Sequence, residues 1–487
     1  MAGLIRSTIE ARFGDRFSLG CLSSFKVVAM APQWEWPITT TKRVPNSVAA
    51  NSILPIWEGP TILPATRITK RLPNPWSKMI SKGTRASEHP SKMAKGSCSD
   101  TFGLRSPGFC FERVSPNQAD RLLALSAFDV DCSFHLEKIK STFKLLDNGL
   151  LELDESYYKG AILDQPNLYT EKLVKLLGGR VGIKGAEPDD WHYSIAKAMQ
   201  IVFEEIVIHM LSNLYERTKL KNVVLGGGSF MNSVFNGKVI ENTPFENVYI
   251  SHSPSDVGNS IGAALYVAHN LKNEDRNSTF NSSYLGPSFS DEEIQKTLER
   301  RKIVYEKIED IPKTVSNILS RGEIIARFNG RMEFGERALG NRSILADPRA
   351  ENIKDKINSI IKYREGYRPF APVIIQEKVC NYFDVSETFT CHYMEKVVQI
   401  KKEFHKELPA VTHVDGSGRV QTVSEKHNLS FYQIIKEFEL LTGLPIVLNT
   451  SFNIAGEPVV LSPDDALTTF YNSGLEYLII GSFLVKK

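Results

Sequence analysis

The sequence predicts an α/β protein, and three observations carry that expectation. "NVVLGGGSFMN" and "NVYISHSPSDVGNSIGAALYVA" each read as a strand breaking into a turn that opens a helix. "EIIARF" and "PIVLNTSFN" read as buried strands running into polar loops. Between such strands lie stretches of helical period, the alternation expected of helices packed on a sheet.

The elements follow in order. Residues 1–115 are rich in Pro, Ser, Thr and basic residues, with no sustained period of 3.6 or 2.0. A disordered tail, a long organellar transit peptide and an aberrant N-terminus are all compatible with that composition. Order begins near residue 118. "WHYSIAKAMQIVFEEIVIHMLSNLYERT" aligns Ile195, Met199, Val202, Ile206, Met210 and Leu214 on one stripe, an amphipathic helix with His209 at its boundary. "SDEEIQKTLERR" is a capped helix, and "ENIKDKINSIIKYRE" is a helix turning Ile353, Ile357 and Ile360 inward. "SPDDALTTFYNSG" places Ser462 at an N-cap and Pro463 in the first turn, and "YLIIGSFLV" closes the chain as a strand pair. The expected divisions are 1–115, 116–285 and 286–487.

Composition excludes several classes. The chain has 487 residues, enough for two or three cores. No run of 18 apolar residues offers a transmembrane helix. Six cysteines lack CxxC spacing and read as free thiols, which argues for a reducing, cytoplasmic setting. Residues 1–105 hold 15 Lys/Arg against 6 Asp/Glu, and the remainder holds 44 against 50. The basic surplus therefore lies in the N-terminal fifth, and the body carries no stripe suited to nucleic acid. Neither nucleic acid nor membrane is an expected partner.

The chemistry-bearing residues gather in two places. In "GGGSFMN" (226–232), Gly226, Gly227, Gly228 and Asn232 could bring backbone N–H groups against a nucleotide, although a plain tight turn reads equally well. Asp256, in "SHSPSDVGNSIGAA", ends the next strand and could hold a metal or a ribose, or simply cap a helix. The C-terminal block is richer. Residues 327–368 contain seven arginines and three lysines. "FGERALGNRSILADPR" alone holds Arg337, Arg342 and Arg349 beside two glycines. Arginine is favoured where a planar fork must hold phosphate or carboxylate, though a surface ion-pair loop would use it too. Lys362, Arg364 and Arg368 follow a helix, Ser451 and Asn453 follow a strand, and Thr412, His413, Asp415 and Arg419 share "VTHVDGSGRVQT". A cationic cup with a Ser/Asn loop suits a small anion beside a nucleotide.

"GRMEFGERALGNRSILADPR", "IIKYREGYRPFAP", "THVDGSGRVQTV" and "PIVLNTSFNIAGEPVV" closely resemble the C-terminal domain of the O-carbamoyltransferase family. That family includes nodulation protein U and the cephalosporin hydroxymethyl and tobramycin carbamoyltransferases. "VVLGGGSFMNSVFNGKV" and "PSDVGNSIGAALYVAH" resemble the second half of its N-terminal domain. The likeness spans about residues 118–487. It implies a partial TsaD-like domain, of actin/sugar-kinase type, followed by a YrdC-like domain. The YrdC-like domain would form carbamoyladenylate from carbamoyl phosphate and ATP, and the TsaD-like domain would transfer the carbamoyl group to a hydroxyl of a small-molecule acceptor. Lys362, Arg368, Ser451 and Asn453 stand at the family's catalytic positions, Arg337 matches a further anion-binding arginine, and Arg419 lines the same site. Arg349 reads as structural. ATP is the implied cofactor, with Mg compatible, and a homodimer is a compatible assembly.

The sequence departs from the family in one half. The family's opening Gly-Ile-Asn and His-Asp-Ala-Ser type segments are not found. Iron is expected for the family, but its HxxxH site is missing, since no two of the ten histidines stand four apart. Asp256 alone matches the metal-binding set. Three functional readings follow: an O-carbamoyltransferase, a partial enzyme that makes carbamoyladenylate without transferring it, and a non-catalytic nucleotide-binding relative.

Overall fold

The structure, a computed structural model, describes residues 26–30, 116–158, 169–181, 187–275 and 282–487, with backbone alone for 26–30 and 116–120. All but five residues of the basic 1–115 region lie outside the described residues. The exception is a strand, β1 (Lys26–Met30), that periodicity did not single out; "KVVAM" is a short apolar run without alternation.

In the half before residue 282, Asp189 caps the helix Asp190–Thr218, and the His192 side chain answers it as a capping box. Lys219, at φ 53°, ends it in the left-handed region. The buried stripe shifts along this helix. Ile195, Met199 and Val202 are buried in the first half, as expected, but Phe203, Val207 and Leu211 replace Ile206, Met210 and Leu214 in the second. The helix serves two cores. Its first half packs with Ile139 and Leu173, its second with Val223, Leu225, Phe235 and Val239. His209 bonds the Leu146 carbonyl at 2.8 Å, the boundary role expected of it. A small hairpin, β2 (Phe143–Leu145) with β3 (Leu151–Leu153), precedes it. Then β4 (Asn222–Gly226) pairs antiparallel with β1 and parallel with β5 (Asn247–Ile250).

The C-terminal half is built on one mixed sheet of eight strands. In chain order these are β6 (Glu306–Lys307), β7 (Ile325–Phe328), β8 (Arg342–Ala346), β9 (Ala371–Ile375), β12 (Gln421–Val423), β13 (Ile446–Ser451), β14 (Tyr477–Ile480) and β15 (Phe483–Lys486). Between β9 and β12 a separate pair forms, β10 (Val397–Gln399) with β11 (Ser417–Arg419). The spatial order is β12-β9-β13-β8-β7-β14-β15-β6, with β12/β9 and β7/β14 parallel and the other neighbours antiparallel. Every residue of β7, β8 and β9 is buried, which is why these strands read as unbroken runs and not as alternating ones. Ser290 with Glu293, and Ser462 with Asp465, form capping boxes on the two helices whose starts the sequence predicts.

One helix differs from expectation. Ile353 and Ile357 point inward, but Ile361 and not Ile360 completes the stripe; Ile360 is 43% exposed. The α-turn Ile353–Lys356 gives way to a π-turn at Ile357–Ile361. A π-turn takes more residues per revolution, so the next inward position falls four residues on, not three.

Candidate active site

The π-turn delivers Lys362. Its backbone N–H bonds back to Ile357, and Tyr363 then takes φ 45°, a conformation non-glycine residues rarely hold. Buried Asn358 knots the turn that follows. Its Oδ1 accepts from Arg364 Nε at 2.8 Å, and its Nδ2 donates to the Arg368 carbonyl at 3.1 Å. Sequence reasoning passed over Asn358, which stands between isoleucines in "INSII" and makes these bonds only once the loop closes.

Lys362 reaches from this loop to the end of β13. Its Nζ donates to the Ser451 carbonyl, to Ser451 Oγ at 3.2 Å, to the Asn453 carbonyl at 3.0 Å and to Asn453 Oδ1 at 2.8 Å. Ser451 Oγ donates to Asn453 Oδ1 at 2.6 Å, and Asn453 Nδ2 is fixed on the Glu457 carbonyl at 2.7 Å. Lys362 and Arg368 are each 5% exposed. Burial pushes the Lys362 ammonium well below an ordinary lysine's pKa, and the charges of Arg364 and Arg368 push it further. All four oxygens around it are uncharged. An arriving anion would be the first full countercharge among these contacts.

The arginine loop lies alongside. Ser451 is in register with Ser343 of β8, and Phe452 N–H donates to the Arg342 carbonyl at 2.9 Å. Asn449, two residues before Ser451 on the same face of β13, donates to the Ala338 carbonyl at 3.1 Å. Gln421 of β12 donates to the Leu339 carbonyl at 3.1 Å. Glu333 Oε1 accepts from the backbone N–H groups of Leu339 and Asn341, both at 2.7 Å. The half-buried Arg337 therefore stands on a turn held from both sides.

The other arginines of this stretch differ in role. Arg342 is fully buried over the Phe328 ring and donates to the carbonyls of Asn329, Gly330, Asn341 and Pro287. The expectation that it holds a ligand is corrected, because it is fully buried and backbone carbonyls around the turn take both its terminal nitrogens. Arg349 forms a two-point pair with Asp347, with Nη2–Oδ2 at 2.6 Å, the structural role expected of it. Arg327, also buried, donates to Gly340, Asn341 and Ser430. In "VTHVDGSGRVQT", Asp415 folds the turn by accepting from Ser417 N and Oγ, and Arg419 ends β11.

The residues of the first cluster meet the arginine loop. His252 Nδ1 donates to the Phe334 carbonyl at 2.7 Å, Ser253 Oγ to the same carbonyl at 3.0 Å, and Ser255 Oγ to Glu336 Oε1. Gly335, at φ 132°, lies between these contacts; a Cβ there would stand 2.4 Å from the His252 carbonyl oxygen. Asp256 and Arg337 thus each follow a residue of one Ser–Glu bond. On the other strand end, Gly227 at φ 111° donates its N–H to Pro254 at 2.6 Å, and a Cβ on Gly228 would meet open space. Asn232 caps the helix Ser233–Asn242 through Phe235 N at 3.0 Å and pairs with Gln200 at 2.8 Å. Its side chain is engaged within the fold.

Asp256 itself is exposed, 3.5 Å from Asn259 Nδ2. Among the described residues no group of three His, Cys, Asp or Glu could hold a metal. An iron centre built on Asp256 does not fit these residues. A cavity of about 210 Å³ that the sequence did not reveal is lined by Tyr284, His392, Tyr393, Gln421, His427 and Asn428, among others. The His392 and His427 rings stack there at 3.8 Å.

Comparison with known proteins finds two matched stretches in the chain. Residues 165–265 match the family model for the carbamoyltransferase N-terminus, and residues 316–487 match that for the carbamoyltransferase C-terminus. The chain belongs to the carbamoyltransferase family. It is 35% identical over 72% of its length to nodulation protein NolNO of Sinorhizobium fredii, covering 51% of that protein. It is 27% identical over 78% of its length to the 3'-hydroxymethylcephem-O-carbamoyltransferase of Amycolatopsis lactamdurans, covering 67%. The chain spans about half the length of the first curated relatives it matches. Among solved structures, full-length HypF in its phosphate- and nucleotide-bound form matches 35% of this chain and 21% of its own, at 19% identity and TM-score 0.26. Lys362, Arg368, Ser451, Asn453, Arg337 and Arg419 lie within the C-terminal match. Gly226–Gly228, Asn232 and Asp256 lie within the N-terminal one. Among the described residues no helix is long and apolar enough to cross a membrane.

Proposed function

We propose that the C-terminal half, as a YrdC-like domain, forms carbamoyladenylate from carbamoyl phosphate and ATP. On this reading the chain passes the carbamoyl group to a hydroxyl of a small-molecule acceptor, with the Asp256 half as the TsaD-like transferase. The observation that carries the reading is the buried Lys362 ammonium locked onto Ser451 and Asn453, with Arg368 buried on the same loop. The bonds balance with one water. Carbamoyl phosphate loses its phosphoryl group to water as inorganic phosphate. A carbamate oxygen attacks the α-phosphorus of ATP, pyrophosphate leaves, and the acceptor oxygen later takes the carbamoyl carbon from AMP. Fixed cations at the phosphates favour each departure because charge builds there. Mg²⁺ would supply further charge at the ATP phosphates. The stacked His392 and His427 rings in the cavity offer an aromatic surface to the nucleoside of ATP.

A second reading is a chain that makes the adenylate and leaves transfer to another protein. The exposure of Asp256, with no metal-binding group of three among the described residues, favours it.

ATP–pyrophosphate exchange dependent on carbamoyl phosphate tests the first step. Wild-type chain should show it, and Lys362→Ala should lower the rate about 10²–10³-fold. Lys362 gives a second signal. Burial disfavours its charge and a bound phosphate dianion favours it, so binding should raise the Lys362 pKa, and any proton uptake that accompanies binding in wild type should be absent in Lys362→Ala. Exchange without Lys362, or no exchange in wild type, overturns the reading.

A further inference from the structure

The Lys362–Arg368 loop, "KYREGYR", contains three cations and a single acid, Glu365. Glu365 shares its loop with the residues of the proposed anion site. Its carbonyl accepts from Arg368 N–H at 3.3 Å. A carboxylate here opposes anion binding in two ways: it repels a phosphate, and it competes with one for the loop's cations.

The structure meets that acid from elsewhere in the chain. Arg121, on the helix Pro116–Ser126, reaches Glu365 with Nη2–Oε1 at 2.6 Å. That helix packs on the helix Asp190–Thr218 and lies outside both stretches that match the family models. The other carboxylate oxygen, Glu365 Oε2, is buried with no hydrogen-bond partner among the described residues. Tyr367 lies within the field of Glu365, Arg121 and Arg368 together, so Arg121 is near the mouth of the same loop.

The geometry points to Arg121 as a positioning residue for anion binding: it engages the Glu365 carboxylate so that the Lys362–Arg368 loop presents its cations to a phosphate-bearing substrate. This inference rests on the reading above, which places carbamoyl phosphate at Lys362 and Arg368. It assigns to a helix beyond the matched segments a part in substrate affinity. Because Arg121 acts through Glu365, removing the acid should remove the need for it.

Calorimetric titration of the full chain with carbamoyl phosphate, and separately with inorganic pyrophosphate, tests this without requiring turnover. Arg121→Ala should weaken both about 3- to 10-fold at low salt, an effect limited by the pair's partial exposure and reduced at 1 M salt. Arg121→Lys should keep much of the affinity, and Glu365→Gln in the Arg121→Ala background should restore it. Unchanged affinity in Arg121→Ala overturns the inference. So does a loss that Glu365→Gln fails to rescue, which would mark Arg121 as a structural anchor only. Wild-type anion binding without exchange would instead overturn the reading above and leave the Arg121–Glu365 relation measurable by itself. Absence of any anion binding overturns both.

Discussion

The Lys362–Asn453 region and the Asp256 region treat their polar groups in opposite ways. In the first, Lys362, Arg368, Asn358 and Asn449 are each at most 5% exposed, and the bonds that hold them run between strands, loop and helix. In the second, Asp256 is exposed, and no residue of the following helix, Asn259–Tyr266, is buried, although "NSIGAALY" is largely apolar. The difference teaches where geometry is fixed in advance. Burying a cation or an amide is costly unless partners are supplied, so a region that does so has its hydrogen bonds specified by the fold. The Asp256 end specifies little by itself beyond its contact with the arginine loop.

The largest expected effect comes from breaking the enclosed region. Arg342→Met would leave the carbonyls of Asn329, Gly330 and Pro287 without their guanidinium donor in a buried turn. Each buried acceptor left unpaired costs about 1–3 kcal/mol, so a total of about 3–5 kcal/mol is expected. Arg349→Met, seven residues on in the same stretch, removes a one-third-exposed guanidinium from the buried Asp347 carboxylate, which keeps the Arg349 backbone N–H, and should cost less, about 1–2 kcal/mol. Urea unfolding of the two variants checks the contrast. Equal losses would show that enclosure is not what separates them.

The next effect falls on the seam between the two regions. Gly335→Ala introduces a Cβ 2.4 Å from the His252 carbonyl oxygen at a φ of 132°. Either the backbone strains or the His252–Ser255 loop separates from Phe334 and Glu336. A cost of about 1–3 kcal/mol is expected. If the loop separates, proteolysis should cut first near residues 251–258. Unchanged unfolding and unchanged cleavage would mean that the seam does not hold the regions together.

Much of this was legible in the sequence, for different reasons in the two regions. The strands of the large sheet announce themselves because central strands are buried on both faces, and "EIIARF" and "PIVLN" have no solvent side to interrupt them. Lys362, Ser451 and Asn453 were identified together through resemblance, and the structure brings them into one set of hydrogen bonds. What stayed hidden depends on pairs distant in the chain or on local backbone geometry. Arg121 and Glu365 are 244 positions apart. The π-turn that swaps Ile361 for Ile360 has no distinct periodic signature in five residues. Asn232 looked like a ligand-binding residue because asparagine after a glycine turn serves equally as a helix cap, and only the Phe235 N–H contact tells the roles apart.

The smallest effect on stability belongs to Asp256, and that makes it the sharpest test of the comparison. Its side chain is exposed, and Asn259 Nδ2 stands 3.5 Å from its Oδ1. Asp256→Asn should therefore change the unfolding free energy by no more than about 0.5 kcal/mol. If the Asp256 end serves transfer and the Lys362 end serves adenylate formation, the same substitution should leave carbamoyl-phosphate-dependent exchange at the wild-type rate. It should at the same time reduce carbamoylation of a hydroxyl acceptor. Measuring both activities on one preparation separates the regions by function as burial separates them by structure. A parallel fall in exchange would mean that the Ser255–Glu336 bond carries the effect into the arginine loop, and that the two ends act as one site.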